Sequence, residues 1–214
     1  MKTSSPFFDR FAEKFDTFYD GKRSRFMQWV DTRFRRDMFE RFELTFVRLG
    51  DLTDKSVVDI GCGSGPYLTE ALRRGASHVT GIDPAPGMLQ LARRRVEAQG
   101  MSDRVELLAG EFPDVDPGRT YDYAIVMGVM DYVPDPVAFL AGVRRIADGA
   151  AISFPSRHLV RTPIRKVRYW LRRCPVHFFD EGRIRAAATA AGYDSVEVEK
   201  IAGAGMDYVV WLVR

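Results

Sequence analysis

Residues 56–68, Ser-Val-Val-Asp-Ile-Gly-Cys-Gly-Ser-Gly-Pro-Tyr-Leu, constrain this chain more than any other stretch. From Ser56 to Ile60 the side chains are β-branched and apolar except for Ser56 at the start and Asp59, which suits a short strand covered on both faces. Glycines at 61, 63 and 65 then allow positive φ and remove the Cβ atoms that would keep a ligand off the backbone. Pro66 fits the first turn of a helix, where no backbone donor is lost. A turn of this kind is expected to present free N–H groups and a positive helix end to an anionic group.

Dinucleotide enzymes use a glycine turn too, but their G-x-G-x-x-G fingerprint needs a glycine at position 66, where Pro66 stands. Asp59 lies two places before the first glycine, where nicotinamide and flavin folds usually carry an apolar residue, and its carboxylate is placed to meet a ligand ammonium group. The stretch resembles motif I of the class I S-adenosylmethionine-dependent methyltransferases, (V/I)-L-D-x-G-x-G-x-G. The resemblance implies a Rossmann-like α/β fold: a seven-stranded, mostly parallel sheet with one antiparallel strand and helices on both faces. It also implies S-adenosylmethionine as cofactor, with Asp59, Gly61, Gly63 and Gly65 around it.

From Asp54 onward the hydrophobic pattern alternates strand and helix. Strands are expected near 56–60, 78–82, 104–108, 122–127, 149–154, 194–200 and 206–213, and helices near 66–74, 86–99, 136–147, 163–173 and 180–191. Only Ala202-Gly203-Ala204-Gly205 joins the last two strands, a link too short for a helical crossover, so one of them must run antiparallel.

Asp83 ends the second strand, where a carboxylate can accept both hydroxyls of a ribose. The following Pro86-Gly87-Met88-Leu89 resembles the family's D-x-S-x-x-M-L continuation, which implies Met88 against the adenine ring. After strand three, Gly110-Glu111 resembles the family's G-D-A triplet beside the adenine edge, with Glu111 in place of the shorter aspartate; the alternative for Glu111 is an exposed loop. Strand four runs from Tyr121 through Met127 into Asp131-Tyr132-Val133-Pro134-Asp135-Pro136. This resembles the F-D-x-V-x-x-x-x-V-L-x-H-V-P-D-P segment of small-molecule methyltransferases, including those of quinone biosynthesis, and implies Met127 in the cofactor site. Where those enzymes often carry histidine, this chain has Asp131-Tyr132. A tyrosine, with a pKa of about 10, is no ready base. Asp131 is therefore the expected base or orienting acceptor, and Tyr132 its partner or a wall.

The first fifty residues read as a helical cap ahead of a methyltransferase domain over 51–214. Phe7, Phe8, Phe11, Phe15, Phe18 and Tyr19 share one helical face, which either docks on the domain or, with Tyr19, closes over the cofactor. A second helix, from Ser24 to Leu49, carries Arg33, Arg35, Arg36 and Arg41, read as a solvated face. Between Arg157 and Arg173 stand seven basic residues and no acid. They form either a solvated helix face or a surface for an anionic acceptor or an anionic membrane. The turn leading into this basic helix resembles that of magnesium-protoporphyrin methyltransferases. His158 and His177 are further candidate bases, or solvated loop histidines.

A net charge of +3 gives no reason to expect nucleic acid, and two cysteines give no disulfide framework. No stretch approaches the ~20 apolar residues that span a bilayer, and no Cys/His/Asp cluster has metal-ligand spacing. The expectation is a cytoplasmic, metal-independent methyltransferase acting on a small molecule, with an oxygen as the leading acceptor atom. An NAD-dependent oxidoreductase or epimerase, and a non-catalytic protein binding through the basic helix, are the alternatives. Oligomeric state is not readable.

Overall fold

The computed structural model describes residues 38–156, 176–201 and 207–214. The aromatic N-terminal face with Tyr19, the helix expected at 163–173, His158 and the 202–205 link lie outside the described residues. A helix, α1, covers 38–49. It is followed by β1 (Ser56–Ile60), α2 (Pro66–Arg73), β2 (His78–Asp83), α3 (Pro86–Glu97), β3 (Val105–Ala109), β4 (Tyr121–Val126), α4 (Pro136–Ile146), β5 (Ala147–Phe154), α5 (Glu181–Ala190), β6 (Ser195–Lys200) and β7 (Tyr208–Val213).

The seven strands form one sheet in the order β3-β2-β1-β4-β5-β7-β6. β1, β2, β3, β4 and β5 pair in parallel, whereas β7 runs antiparallel to both β5 and β6. The reversed strand is thus β7, inserted between its neighbours. The order turns back on itself between β1 and β4, the switch point at which α/β sheets open a crevice beyond their strand ends.

Both faces of the central strands are buried, and the alternation of side chains assigns each face its helices. Val58 and Ala124 point to a layer built with Phe139, Leu140, Val143 and Ile184 of α4 and α5. Their neighbours Val57 and Ile125 point to a layer with Phe46, Leu68, Leu72 and Ala92 of α1, α2 and α3. Three helices begin with proline at their first position, Pro66, Pro86 and Pro136, each just past the end of β1, β2 or β4. Asp135 additionally caps α4 by accepting from the Ala138 N–H at 3.1 Å.

At the opposite end of the sheet Asp122 ties β4 to β1. Its carboxylate accepts from the Ser56 N–H and Oγ–H, both at 2.8 Å, and from Lys55 Nζ at 3.1 Å. The Ser56 amide foremost holds the Asp122 pKa down at about 2. Helix α1 is fixed to α2 by an aromatic cluster: the Phe42 ring lies 4.9 Å from Phe46 and 5.0 Å from Tyr67. The Arg74 Nη1 atom also donates to the Phe46 carbonyl at 2.8 Å.

Candidate active site

A cavity of about 400 Å³ opens at the carboxyl ends of β1, β2, β3 and β4, with Met38 and Arg41 of α1 in its lining. Such a volume lies in the range of small-molecule sites. Its walls include Gly61, Gly63, Asp83, Met88, Gly110, Glu111, Met127 and Tyr132. The chain segments after four different strands therefore bring eight of the sequence-selected residues to one space. Asp59, Gly65 and Asp131 are not in that wall. Among the described residues no group of three or more His, Cys, Asp or Glu side chains is placed to hold a metal ion. No described helix is long and apolar enough to cross a membrane.

The glycines divide by role. A Cβ at Gly61 would meet Val129 Cγ2 at 2.4 Å, so this position keeps the turn after β1 pressed against the segment after β4. At Gly65, which caps α2 with φ of 79°, a Cβ would meet Ala92 Cβ at 3.1 Å. Gly65 thus packs α2 on α3. At Gly63 a Cβ would meet nothing within 4 Å. It lines the cavity, and its missing side chain leaves room rather than relieving a clash.

The sequence suggested that this turn offers free N–H donors, and four of its amides prove to be engaged within the protein. The Gly61 and Cys62 amides both donate to the Ile82 carbonyl, at 2.7 and 3.1 Å, and the Gly65 amide donates to the Cys62 carbonyl at 3.0 Å. The Gly63 amide donates to Asp83 Oδ2 at 2.9 Å. With these four donors engaged, the turn supplies space instead of a cradle for a pyrophosphate. Asp83 also accepts from the Ala85 N–H through Oδ1 at 2.9 Å, so it fixes the turn while forming part of the wall.

Asp59 precedes the wall residues Ile60 and Gly61 at the end of β1. It is 1% exposed, and its Oδ2 has no hydrogen-bond partner among the described residues. Loss of hydration raises its pKa well above the usual carboxylate range, and the nearby Asp83 charge pushes in the same direction. Because the folded-state pKa is raised, the native protein holds a proton that the unfolded chain has lost once pH exceeds about 4. Stability from this group therefore falls as pH rises through the window between the unfolded and folded values. Asp59→Asn is expected to stabilise the ligand-free protein at pH 7.5 by about 0.5–2 kcal/mol, the usual range of a stabilising substitution, because the amide has no charge to lose hydration. Calorimetric melting at pH 7.5 and 4.5 checks this: the gain should shrink at the lower pH, and a variant less stable at both would contradict it.

Burial likewise raises the Cys62 thiol, which is 4% exposed, and leaves it a packing residue with little thiolate. Glu111 is raised more modestly, chiefly by burial.

Arg41 was read from sequence as part of a solvated face, and the structure corrects this. It is the one Lys or Arg among the described wall residues. Its Nε is buried with no partner among the described residues, and its Nη1 lies 3.4 Å from Ser153 Oγ. Nothing in its local spacing distinguishes it from Arg33, Arg35 or Arg36. Only the docking of α1 against α2 brings it to the cavity. Phe112, Pro113, Val129 and Val133 are further wall residues that sequence reasoning did not select.

Asp131 sits behind Tyr132 at 8% exposure, and its carbonyl accepts from the His177 N–H at 2.8 Å. The Phe179 N–H donates to the Pro155 carbonyl at 2.9 Å, and Ser156 bridges to Phe179. The described residues on either side of 157–175 thus meet one another beyond β4 and β5.

Residues 57–148 match a family model described as a methyltransferase domain. A ubiquinone biosynthesis O-methyltransferase of Aeromonas salmonicida is 35% identical over 104 residues, 45% of this chain and 43% of that protein. A ribosomal protein L11 methyltransferase of Escherichia coli is 51% identical over 57 residues, 27% of this chain and 20% of that protein. The matched region spans less than half the length of these curated relatives. Among solved structures, magnesium protoporphyrin IX methyltransferase from Synechocystis with SAH bound superposes with a TM-score of 0.78 at 19% identity, covering 98% of this chain and 97% of that one. Residues 57–148 thus match a methyltransferase domain, and the chain has the fold of the S-adenosylmethionine-dependent methyltransferases.

Proposed function

We propose that this protein transfers a methyl group from S-adenosylmethionine to an oxygen of a small-molecule acceptor. The observation that carries the reading is the empty space over Gly63, which has Asp83 in the same wall and Arg41 in the lining. The residues present fit the cofactor. Asp83 is the proposed partner of the ribose hydroxyls, while Met88, Phe112, Val129 and Val133 offer an apolar slot for the adenine, with Glu111 at its edge. Asp59, next in sequence to the wall residues Ile60 and Gly61, is the proposed balance for an ammonium group, which would stabilise its ionised form. Arg41 is the described wall cation, and the cofactor carries one carboxylate.

Bound there, S-adenosylmethionine would supply a methyl already activated by its sulfonium. What remains for the protein is to hold the acceptor oxygen in line with that methyl and to exclude water. Orientation of this kind is worth up to ~7–11 kcal/mol for a well-held pair. Tyr132 is the proposed acceptor-facing wall, with Asp131 behind it as the orienting or proton-accepting group. The basic residues of 157–173 are the proposed attraction for an anionic acceptor, because the described chain on either side of them lies beyond β4 and β5.

The matched relatives bear names that point to a quinone pathway and to a ribosomal protein, so the shared region does not specify an acceptor. The fold likeness to a porphyrin methyltransferase over nearly the whole chain supports a small molecule. Incubation with methyl-labelled cofactor and a panel of hydroxyl- and carboxylate-bearing metabolites, a ribosomal extract and tRNA tests this. Label is expected in small molecules as ethers or esters. Label confined to protein or RNA would contradict the reading.

A further inference from the structure

Ser153 is 2% exposed near the end of β5 and does not line the cavity, yet two groups that do line it donate to its oxygen. The Gly128 N–H reaches Ser153 Oγ at 2.8 Å, and Arg41 Nη1 reaches it at 3.4 Å. Gly128 follows β4 with φ of 77°, and a Cβ there would already stand 4.0 Å from Arg41 Nη1. The guanidinium therefore lies over Gly128, beside the place that a side chain would occupy. On the helix side, Thr45 Oγ1 donates to the Arg41 carbonyl at 2.7 Å and lies 3.9 Å from Met127 Sδ. One buried hydroxyl thus joins α1, the segment after β4, and β5.

An arginine side chain is long and rotamer-rich, and holding it in one place costs entropy. Its planar fork recognises a carboxylate only when presented at the right angle. Arg41 has one described side-chain hydrogen bond, to Ser153, and its buried Nε has no partner among the described residues. We propose that Ser153 is a positioning residue that holds the Arg41 guanidinium against Gly128, and so sets the affinity for the amino-acid carboxylate of the cofactor. The inference rests on the cofactor reading above and adds a residue that does not touch the ligand.

The test uses two compounds that share an adenosine and a sulfur. S-adenosylhomocysteine carries the amino-acid carboxylate, and 5′-methylthioadenosine lacks the amino-acid portion. Affinities are measured for the full chain, Arg41→Gln, Ser153→Ala, the double variant, and Ser153→Thr, which keeps the hydroxyl. Arg41→Gln should weaken S-adenosylhomocysteine by about tenfold or more, as for a hydrogen bond to a charged group. Ser153→Ala should weaken it by roughly threefold to tenfold through the same contact, while methylthioadenosine stays within about twofold for both variants. The double variant should be no weaker than Arg41→Gln alone, because residues acting through one another are not additive. Ser153→Thr should bind like the parent.

Equal losses for both compounds in Ser153→Ala would show that the serine only shapes the turn and would overturn the inference. Additive losses in the double variant, or no loss at all, would do the same. If Ser153→Ala does not fold, Ser153→Cys takes its place: a loss confined to S-adenosylhomocysteine supports the inference, and equal losses for both compounds, or none, overturn it. A parent protein that binds neither compound would instead remove the cofactor reading, a distinct result.

Discussion

Gly63→Asn is expected to lower the affinity for S-adenosylhomocysteine by more than about 100-fold, equivalent to ~2.8 kcal/mol, while leaving the protein folded. A Cβ at this position meets no protein atom within 4 Å, so the new side chain enters the cavity and does not strike the fold. The backbone there has φ of 53°, which a β-branched residue avoids but asparagine tolerates. The melting temperature should therefore fall by only a few degrees. Gly61→Ala is the instructive opposite. Its methyl would collide with Val129 at 2.4 Å on a backbone of φ 75°, so its main effect should be on stability. A Gly63→Asn protein that binds as tightly as the parent would show that the space over the turn is not where the ligand lies.

Asp83→Ala carries the second large effect. The loss of a hydrogen bond to a charged group costs ~1.5–3 kcal/mol, and here the carboxylate serves more than the ligand. It accepts from the Gly63 and Ala85 amides at 2.9 Å each, so its removal leaves two amides unpaired and loosens the turn. Binding should fall by at least about tenfold to 100-fold. S-adenosylmethionine, S-adenosylhomocysteine and 5′-methylthioadenosine should suffer alike, because all three contain the ribose. That equality separates Asp83 from Arg41 and Ser153, whose effects should follow the amino-acid carboxylate. A loss confined to the two compounds with an amino-acid group would place Asp83 at the other end of the ligand.

The sheet was legible in the sequence because its strands are short, β-branched and punctuated by glycine and proline. Pro66, Pro86 and Pro136 mark helix starts to the residue, and the length of 202–205 required the reversal now seen in β7. Part of the cavity wall was legible at the strand ends, as with Asp83, Gly110 and Met127, since the carboxyl ends of parallel strands share one edge, whereas Phe112, Pro113, Val129 and Val133 in the same segments carry no signal of their own. Two kinds of information were not. Gly61, Gly63 and Gly65 look alike in sequence, yet one abuts Val129, one faces space and one packs on α3. Which is which depends on neighbours far along the chain. Arg41 and Ser153 are 112 residues apart, and neither sits in a local pattern. The packing of α1 across the sheet creates their contact, and a sequence carries that only through its whole fold.

The central claim is that the cavity over Gly63 holds S-adenosylmethionine. Calorimetric titration of the full chain with S-adenosylhomocysteine, and in parallel with NADH, tests it most directly. Saturable one-to-one binding of S-adenosylhomocysteine is predicted, with none of NADH, because Pro66 replaces the fingerprint glycine and the turn amides are engaged within the protein. Binding of NADH with no response to S-adenosylhomocysteine would contradict the account.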